Sequence, residues 1–273
     1  MQSPAEAVRA HWPEYLMEAA GLGLFMVSAS FVTTALEYPH SSIHAAIPDP
    51  TIRRILIGLC MGLTAVAIIY SPWGKQSGAH LNPAVTLTFY RLGKVERMDA
   101  FFYVVAQTFG GLVGVLLSVA AIGMAIEHPA VNYVVTVPGA TGVPIAFFSE
   151  AVISFGLMFT VLLVSNHRRL NVLTGVTAGC LVALYISIEA PYSGMSMNPA
   201  RTFASAFPAH LWTSFWIYLT APQLGMLAAA EVYVRLQGLK QVYCAKLHHQ
   251  NRTRCIFRCS YQNLLSDSSN VST

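Results

Sequence analysis

One decapeptide pattern occurs twice in the chain and constrains its fold more than any other feature. Residues 77–86 read SGAHLNPAVT and residues 193–202 read SGMSMNPART, so both fit S-G-x-x-x-N-P-A-x-T without a gap, 116 residues apart. Asn is a favoured helix N-cap, and Pro at the first helical position loses no hydrogen bond because an N–H there lacks a helical partner anyway. Each N-P-A therefore predicts the start of a helix.

Both predicted helices are short. The first extends from Pro83 to about Tyr90, and the second extends from Pro199 to Phe207, with Pro208 expected to prevent continuation. A helix of roughly nine residues is about 14 Å long. That length is about half of a hydrocarbon core of ~30 Å, so neither helix can cross a membrane alone. The pattern predicts two half-helices.

Composition indicates that the chain lies in a membrane. Hydrophobic residues make up 55% of it and charged residues only 10%, whereas soluble domains have about 25% charged residues. The chain also contains six apolar runs that predict membrane helices by their length. The first run has to be extended upstream by about a turn to span the membrane. The six runs lie at 19–36, 55–74, 100–126, 144–165, 170–188 and 211–234.

The order of these elements is repeated. Three runs with a half-helix between the second and the third are followed by the same arrangement, and Glu18 in the first run corresponds to Glu150 in the fourth. The segments YVVAQTFGG at Tyr103 and YLTAPQLGM at Tyr218 also correspond. Because three spans reverse the direction of the chain, the second copy must be inverted. The predicted fold class is an all-α membrane protein with six transmembrane helices and two re-entrant half-helices.

Charge placement predicts the orientation. Of the 16 Lys and Arg residues, all but Arg53, Arg54 and Arg201 lie in the N-terminus, the loop of the first N-P-A, the loop after the fourth run or the tail. These segments share one side of a six-span protein, and the positive-inside rule makes that side, with both termini, cytoplasmic. The predicted division is an N-terminal segment 1–12, a membrane region 13–236 with repeats at about 13–124 and 144–236, and a tail 237–273. A cleaved signal peptide is not expected, since no short apolar segment ends in a small-residue site.

Both N-P-A boxes, the Arg after the second box, the two intramembrane glutamates and the G-A-H-L before the first box together resemble an aquaporin of the major intrinsic protein family. The resemblance covers about 15–234. It implies a passive channel for water in the cell membrane, a homotetramer, no catalytic residue and no resident cofactor. It also implies that Glu18 and Glu150 brace the pore loops as buried acceptors. We expect no nucleic-acid partner.

The residues of the boxes explain a channel of this kind. The side-chain oxygen of Asn82 or Asn198 can cap its own helix, so that each NH2 group remains free to donate into the pore. Behind each amide lies a helix N-terminus worth roughly half a positive charge. A water or hydroxyl oxygen can accept at this point, whereas a cation is repelled. The predicted motif residues are Asn82, Pro83, Ala84, Asn198, Pro199 and Ala200.

The resemblance also implies further pore residues. Arg201 is the charged member of a selectivity filter, with Met195 and Ile186 at two other positions and either Met61 or Gly62 at the last. Carbonyl groups before each box are expected to line the pore, at Gly78, Ala79, His80, Gly194, Met195 and Ser196. Because this filter is largely apolar, glycerol, urea or other small neutral solutes are candidates beside water. Thr202 and Ala206, however, stand where a glycerol facilitator is expected to have Asp and a basic residue. A glycerol facilitator and an ion-coupled secondary transporter remain the alternatives.

The tail lies outside the resemblance. It contains a group of thiol and imidazole side chains that suits zinc, at Cys244, His248, His249, Cys255 and Cys259. The spacings are looser than in common zinc fingers. The basic residues Lys246, Arg252, Arg254 and Arg258 suit an anionic lipid surface equally well, so both interpretations stay open.

Overall fold

The computed structural model describes residues 3–266; the predicted N-terminal segment and tail also include 1–2 and 267–273, which lie outside the described residues. Within the described part, eight helices have nine or more residues. They are α1 (Pro4–Glu37), α2 (Pro50–Tyr70), α3 (Pro83–Arg91), α4 (Arg97–Ile122), α5 (Val143–Ser165), α6 (Thr174–Ser193), α7 (Pro199–Ala209) and α8 (Phe215–Gln237). Shorter α-helices occupy Ser42–Ala46, Pro72–Ser77 and Tyr261–Ser266.

The first helix begins earlier than predicted. The sequence predicts a separate polar segment at 1–12, whereas α1 starts at Pro4 and continues through Pro13. A capping box explains this start, because the Ser3 side chain accepts from the backbone N–H of Glu6 and the Glu6 side chain accepts from the backbone N–H of Ser3. Residues 4–12 are therefore a helical extension of the first span.

The two half-helices, α3 and α7, start at the prolines of the N-P-A boxes. The second is longer than predicted, because α7 continues through Pro208 and ends at Ala209. A proline in the last turn removes a single N–H···O bond, and His210 then closes the helix in the left-handed region with φ 50°.

Among residues 3–266, five helices are long and apolar enough to span a bilayer, namely α1, α2, α4, α5 and α6 with their short continuations. The sixth predicted span corresponds to α8, which has 23 residues but is not among these five. It includes Glu231 and Arg235 and begins later than residue 211, after a turn in which the N–H of Leu211 bonds to Ala206.

Glycines let the long helices approach closely. A Cβ at Gly110 or Gly114 of α4 would meet the backbone of α1 at Ala19 or Gly23, and a Cβ at Gly225 of α8 would meet Ala151 of α5. The first and last long helices of each repeat thus pair in the same way. Each half-helix also packs against the last long helix of the other repeat, α3 on α8 and α7 on α4. This exchange holds the two N-P-A boxes together.

Candidate functional site

The loop before the first half-helix is held by Glu18, whose side chain is fully buried. One carboxylate oxygen accepts from Ser77 Oγ at 2.7 Å and from the backbone N–H of His80 at 3.1 Å. The other accepts from the N–H of Leu81 at 2.7 Å and from Gln107 Nε2 at 2.8 Å. Four donors thus converge on one carboxylate, which makes Glu18 an acceptor that shapes the loop.

Glu150 does the same in the second repeat. One of its oxygens accepts from Ser193 Oγ and from the N–H of Ser196, both at 2.7 Å, and the other accepts from the N–H of Met197 at 2.7 Å. The hydroxyl group of Tyr218 donates to the Ser193 carbonyl at 2.5 Å. In the first repeat Tyr103 donates to the Ser77 carbonyl at 2.6 Å, so corresponding side chains brace corresponding positions.

The two asparagines of the boxes join the half-helices head to head. The Asn82 side-chain oxygen caps α3 by accepting from the N–H of Ala84 at 2.8 Å, and its NH2 group donates to the Met197 carbonyl at 2.7 Å. Asn198 caps α7, and its NH2 group donates to the Leu81 carbonyl at 2.8 Å. The expectation that both NH2 groups are wholly free is therefore wrong, because each uses one of its two hydrogens on the opposite loop. The second hydrogen of each remains for a solute.

The side chains of Asn82 and Asn198 lie at a cavity of about 360 Å³. Both asparagines and Arg201 line it, and so do residues of both repeats, the connection between the repeats and the tail. Arg201 Nη1 is buried and has no hydrogen-bond partner among the described residues. A buried donor without a protein acceptor is costly, so the cavity wall offers it to a polar solute.

A family model described as Major intrinsic protein matches residues 6–233. The chain belongs to the major intrinsic protein family. Aquaporin NIP3-1 of Zea mays is 41% identical over 176 residues, which are 64% of this chain and 56% of that protein. Aquaporin-4 of Mus musculus is 32% identical over 212 residues, which are 76% of this chain and 62% of that protein. The chain thus spans less than two thirds of the length of these relatives.

The solved structure of the aquaglyceroporin from Plasmodium falciparum superposes with a TM-score of 0.66 at 21% identity, covering 82% of this chain and 95% of that one. At this identity the likeness concerns the fold alone. The predicted fold class and the predicted family are confirmed.

The residues at the filter positions implied by the family lie at the cavity, with one exception. Met61, Ile186, Met195 and Arg201 all line the cavity. Gly62 does not, because it faces α6: a Cβ there would lie 2.5 Å from the Gly179 carbonyl oxygen. Of the two residues proposed for the position on α2, Met61 lies at the cavity and Gly62 packs against α6. The filter role of Met61 stays a prediction.

The expected carbonyl positions separate into two groups. Ala79, His80, Gly194, Met195 and Ser196 line the cavity. Gly78 is not among the lining residues, and its carbonyl oxygen accepts from the N–H of Leu247 in the tail at 3.1 Å. The tail thus uses one of the two lone pairs of this carbonyl, and the place of Gly78 in the pore lining stays a prediction.

Residues 242–260, which we call the tail cap, fold against the end of the bundle that carries the N-terminus of α1. Leu247 of this segment lines the cavity beside His80, whose side chain is 3% exposed. His80 Nε2 lies 2.9 Å from the Ala245 carbonyl oxygen and donates to it, since a carbonyl oxygen can only accept. The His80 ring is stacked between Phe89 and Phe257, each at a centroid distance of 5.3 Å. The tail cap thus covers one mouth of the cavity.

Polar contacts anchor the tail cap at its edges. Arg254 donates to the buried carboxylate of Glu14 at 2.7 Å, and this hydrogen bond raises the pKa of the Arg254 guanidinium. Arg258 pairs with Glu96 at 2.5 Å, and the buried Lys246 amine donates to the Arg254 carbonyl at 2.7 Å. Three of the four basic residues that suggested a lipid surface therefore have partners within the protein.

Four of the five predicted metal ligands lie together in the tail cap: Cys244, His249, Cys255 and Cys259. His248 is not part of the group, because its ring packs edge-on against Tyr70 at 5.0 Å. Its inclusion in the predicted set is wrong, since the ring points to the bundle.

Sequence reasoning missed several residues around the pore. Gln107 was visible as a polar residue in an apolar run, and Glu14 was visible as an acid one turn before Glu18. Leu247 and Phe257 gave no signal of contact with the pore, because their partners are more than 150 residues away in the sequence.

Proposed function

We propose that this protein is a passive channel for water, and that small neutral solutes such as glycerol or urea also pass. The observation that carries this proposal is the meeting of Asn82 and Asn198 at one cavity, each braced on the opposite loop with one amide hydrogen left over. Two helix N-termini lie behind these amides and favour an oxygen acceptor.

The same arrangement disfavours cations. A cation in the cavity meets positive potential from the N-termini of α3 and α7 and from the Arg201 guanidinium. Water loses little, because its oxygen can accept from these donors in turn. We therefore infer that ions and protons are excluded while water moves along its osmotic gradient.

The lining beside Arg201 favours small organic solutes as a second class of substrate. Met61, Ile186 and Met195 present apolar side chains to the cavity, so the carbon atoms of glycerol meet apolar contacts while its hydroxyl groups meet Arg201. Water stays first in this proposal, since Thr202 and Ala206 depart from the pattern expected of a glycerol facilitator.

We further propose that the protein is a homotetramer in the cell membrane, with the tail cap and both termini on the cytoplasmic side. The positions of the basic residues support this orientation. Native mass spectrometry of the protein in detergent measures the subunit number, and a mass of one, two or three chains contradicts the tetramer.

Stopped-flow light scattering tests the channel directly. Full-length protein is reconstituted in vesicles, and their shrinkage under an osmotic gradient is compared with that of protein-free vesicles. We expect faster shrinkage with protein and no proton current. Because Leu247 stands in one mouth, the variant Leu247→Ala is measured in parallel and is expected to be faster still. Equal rates for protein-free vesicles, wild type and Leu247→Ala, with insertion demonstrated, contradict the proposed function.

A further inference from the structure

The tail cap contains a group of four side chains whose chemistry and geometry are those of a metal site. Its donors are three thiol sulfurs and one imidazole nitrogen, contributed by Cys244, His249, Cys255 and Cys259. Zinc in structural sites is bound by this kind of donor set, with four ligands in a tetrahedron. The set is complete within one chain and needs no ligand from elsewhere.

The four donor atoms lie near the spacing of a tetrahedral ion, and small side-chain shifts would bring them onto it. The sulfurs of Cys244 and Cys255 are 3.5 Å apart, and the sulfur of Cys259 is 3.0 Å from His249 Nε2. All four donor atoms lie within 4.8 Å of one another. Zn–S bonds of about 2.3 Å require sulfur atoms about 3.8 Å apart at the corners of a tetrahedron. The side chains are thus gathered around a point to which all four can bind.

The backbone that carries these ligands is irregular yet buried. Cys244, Ala245 and Lys246 are at most 4% exposed, although they belong to no helix or strand. Such a segment loses conformational entropy on ordering without the gain of a regular hydrogen-bond ladder. A bound ion offsets this loss, because in small metal-binding segments the free energy of binding is also free energy of folding.

Lys246 closes the loop between the ligands. Its amine donates to Thr253 Oγ1 at 3.0 Å and to the Arg254 carbonyl at 2.7 Å, which brings the segments before His249 and Cys255 together. Three thiolates and a neutral imidazole around Zn²⁺ carry a net charge of minus one. A buried ammonium group in the same loop is a suitable counter-charge.

The ligands surround the part of the tail cap that touches the pore. Between Cys244 and His249 lie Ala245, whose carbonyl accepts from His80, and Leu247, whose side chain lines the cavity. Between Cys255 and Cys259 lies Phe257, which stacks on the His80 ring. Whatever fixes the four ligands therefore also fixes the contacts that cover the mouth.

We propose that Cys244, His249, Cys255 and Cys259 bind one Zn²⁺ ion, and that this ion holds the tail cap across the pore mouth and closes it. The binding site depends only on the four ligands, whereas the closing step rests on the channel function proposed above. In the proposed orientation the site faces the cytoplasm, where thiols remain reduced and available to a metal.

Metal content is the first test. Full-length protein is purified with a reductant, given one equivalent of zinc, desalted, and analysed by mass spectrometry of the elements. We expect about one zinc per chain in the wild type and a background level in Cys259→Ser, because serine is a poor zinc ligand. Cys259 is exposed, so this change leaves the buried contacts in place. Cys180→Ser, at an exposed cysteine of α6, and His248→Ala are the matched controls and keep their zinc.

Two results overturn the metal site. One is a zinc content of the wild type equal to that of Cys259→Ser. The other is a Cys244–Cys255 disulfide without zinc, detected by alkylation of the freshly prepared protein before any reductant is added.

Hydrogen exchange tests the docking of the tail cap without reference to transport. The N–H of Leu247 bonds to Gly78, and the N–H of Arg258 bonds to Lys94. Zinc removal is expected to speed exchange of the tail-cap peptides at least about tenfold in the wild type, since local opening exposes these amides. Cys259→Ser exchanges at the fast rate with or without zinc, and a peptide from α7 is the internal reference. Equal protection with and without zinc overturns the docking role.

Water permeability tests the closing step. Zinc-loaded and zinc-free protein are reconstituted separately, and we expect the zinc-free vesicles to shrink several-fold faster, with no zinc response in Cys259→Ser. Zinc-dependent exchange with an unchanged water rate overturns the closing step. Rates at the protein-free level in every form, including zinc-free Cys259→Ser, count against the channel function instead, and the zinc and exchange results still decide the site.

Discussion

The two halves of the pore wall contain the same hydrogen-bonded unit, the loop before each N-P-A box with the buried glutamate that braces it, which we call the frame. They differ in the groups that pack against this frame. In both, a buried glutamate accepts from a serine hydroxyl and from two backbone N–H groups of the loop before an N-P-A box. The first half is covered by the tail cap through His80, whose two ring nitrogens both have partners. The second half exposes Arg201 to the cavity, and Nη1 of Arg201 has no partner among the described residues.

This difference shows which residues build the loops and which give them a function. Two residues of each loop have left-handed φ angles near 50°, namely Ala79 and Leu81 in the first half and Met195 and Met197 in the second. Residues with side chains are strained there by about 1–3 kcal/mol each. The buried carboxylates stabilise this backbone by accepting its N–H groups. The frame must therefore be the same in both halves, whereas the positions of His80 and Val85 in one half and of Ser196 and Arg201 in the other are free to differ.

Removal of either glutamate is expected to have the largest effect. Glu18→Ala removes an acceptor from four buried donors, of which Gln107 alone keeps a second acceptor in Thr86, and Glu150→Ala removes an acceptor from three. Each orphaned donor costs about 1–3 kcal/mol, which together approaches the whole stability of a domain. We expect both variants to lose monodisperse protein in size-exclusion chromatography. Glu127→Ala, at an exposed site, is the control and keeps its yield. A stable variant at either glutamate breaks the equivalence of the two halves.

Arg201→Ala is expected to change selectivity more than stability. The change replaces a large side chain of the cavity wall by a small one, so we expect the wider passage to raise glycerol uptake about tenfold although a donor to its hydroxyl groups is lost, as for a barrier lower by about 1.4 kcal/mol. Water permeability should change by less than about threefold, because the amides of Asn82 and Asn198 remain. Both rates are measured by stopped-flow light scattering on one preparation. Val85→Ala, at the corresponding residue of the first half, is the control and leaves the glycerol rate near that of the wild type. Equal effects of the two changes contradict the assignment of the filter to the second half.

Gln107→Leu tests a donor that only the first half has. Gln107 donates to Glu18 at 2.8 Å and to Thr86 at 3.1 Å, whereas the corresponding residue of the second repeat is Pro222. We expect a loss of about 1–2 kcal/mol, since one charge-assisted hydrogen bond disappears while Leu keeps the volume. Thermal unfolding in detergent measures this loss. Pro222→Ala is the comparison, and we expect it to leave the unfolding temperature unchanged. If Pro222→Ala lowers the unfolding temperature as much as Gln107→Leu does, the special role of the Gln107 donor is contradicted.

The frame of the pore could be predicted from the sequence, because the chain contains it twice. The repeated decapeptide predicts both half-helices, and the corresponding Glu18 and Glu150 mark the acceptors before any contact is known. The choice between Met61 and Gly62 could not be made, since a shift of one residue turns a helical side chain by about 100° and only packing against α6 decides it.

The tail cap could be predicted only in part. Its cysteines and histidines indicate a metal, but His248 and His249 are adjacent and the sequence does not say which ring joins the thiols. Its position over the pore was not predictable, because the contacts of Leu247 and Phe257 with Gly78 and His80 follow no local pattern. Such long-range contacts of an irregular segment depend on tertiary structure rather than on periodicity.

The two arginine anchors of the tail cap differ in the burial of their partners, and the more exposed pair gives the smallest expected effect. Arg254 pairs with a Glu14 side chain that is 0% exposed, while Arg258 and Glu96 are 60% and 38% exposed. Arg254→Ala is expected to destabilise the docked tail cap by about 1–2 kcal/mol, because a buried carboxylate loses a charged donor. For Arg258→Ala we expect less than about 0.5 kcal/mol, since exposed ion pairs contribute little.

Hydrogen exchange at tail-cap peptides measures both changes, and high salt is the control, because it weakens an exposed pair and leaves the Glu14 contact largely intact. Faster exchange in Arg258→Ala than in Arg254→Ala would mean that the loop of Glu96, rather than the buried Glu14 of α1, holds the tail cap over the first half of the pore. The covered half would then depend on a surface contact, and its closure would respond to salt as well as to zinc.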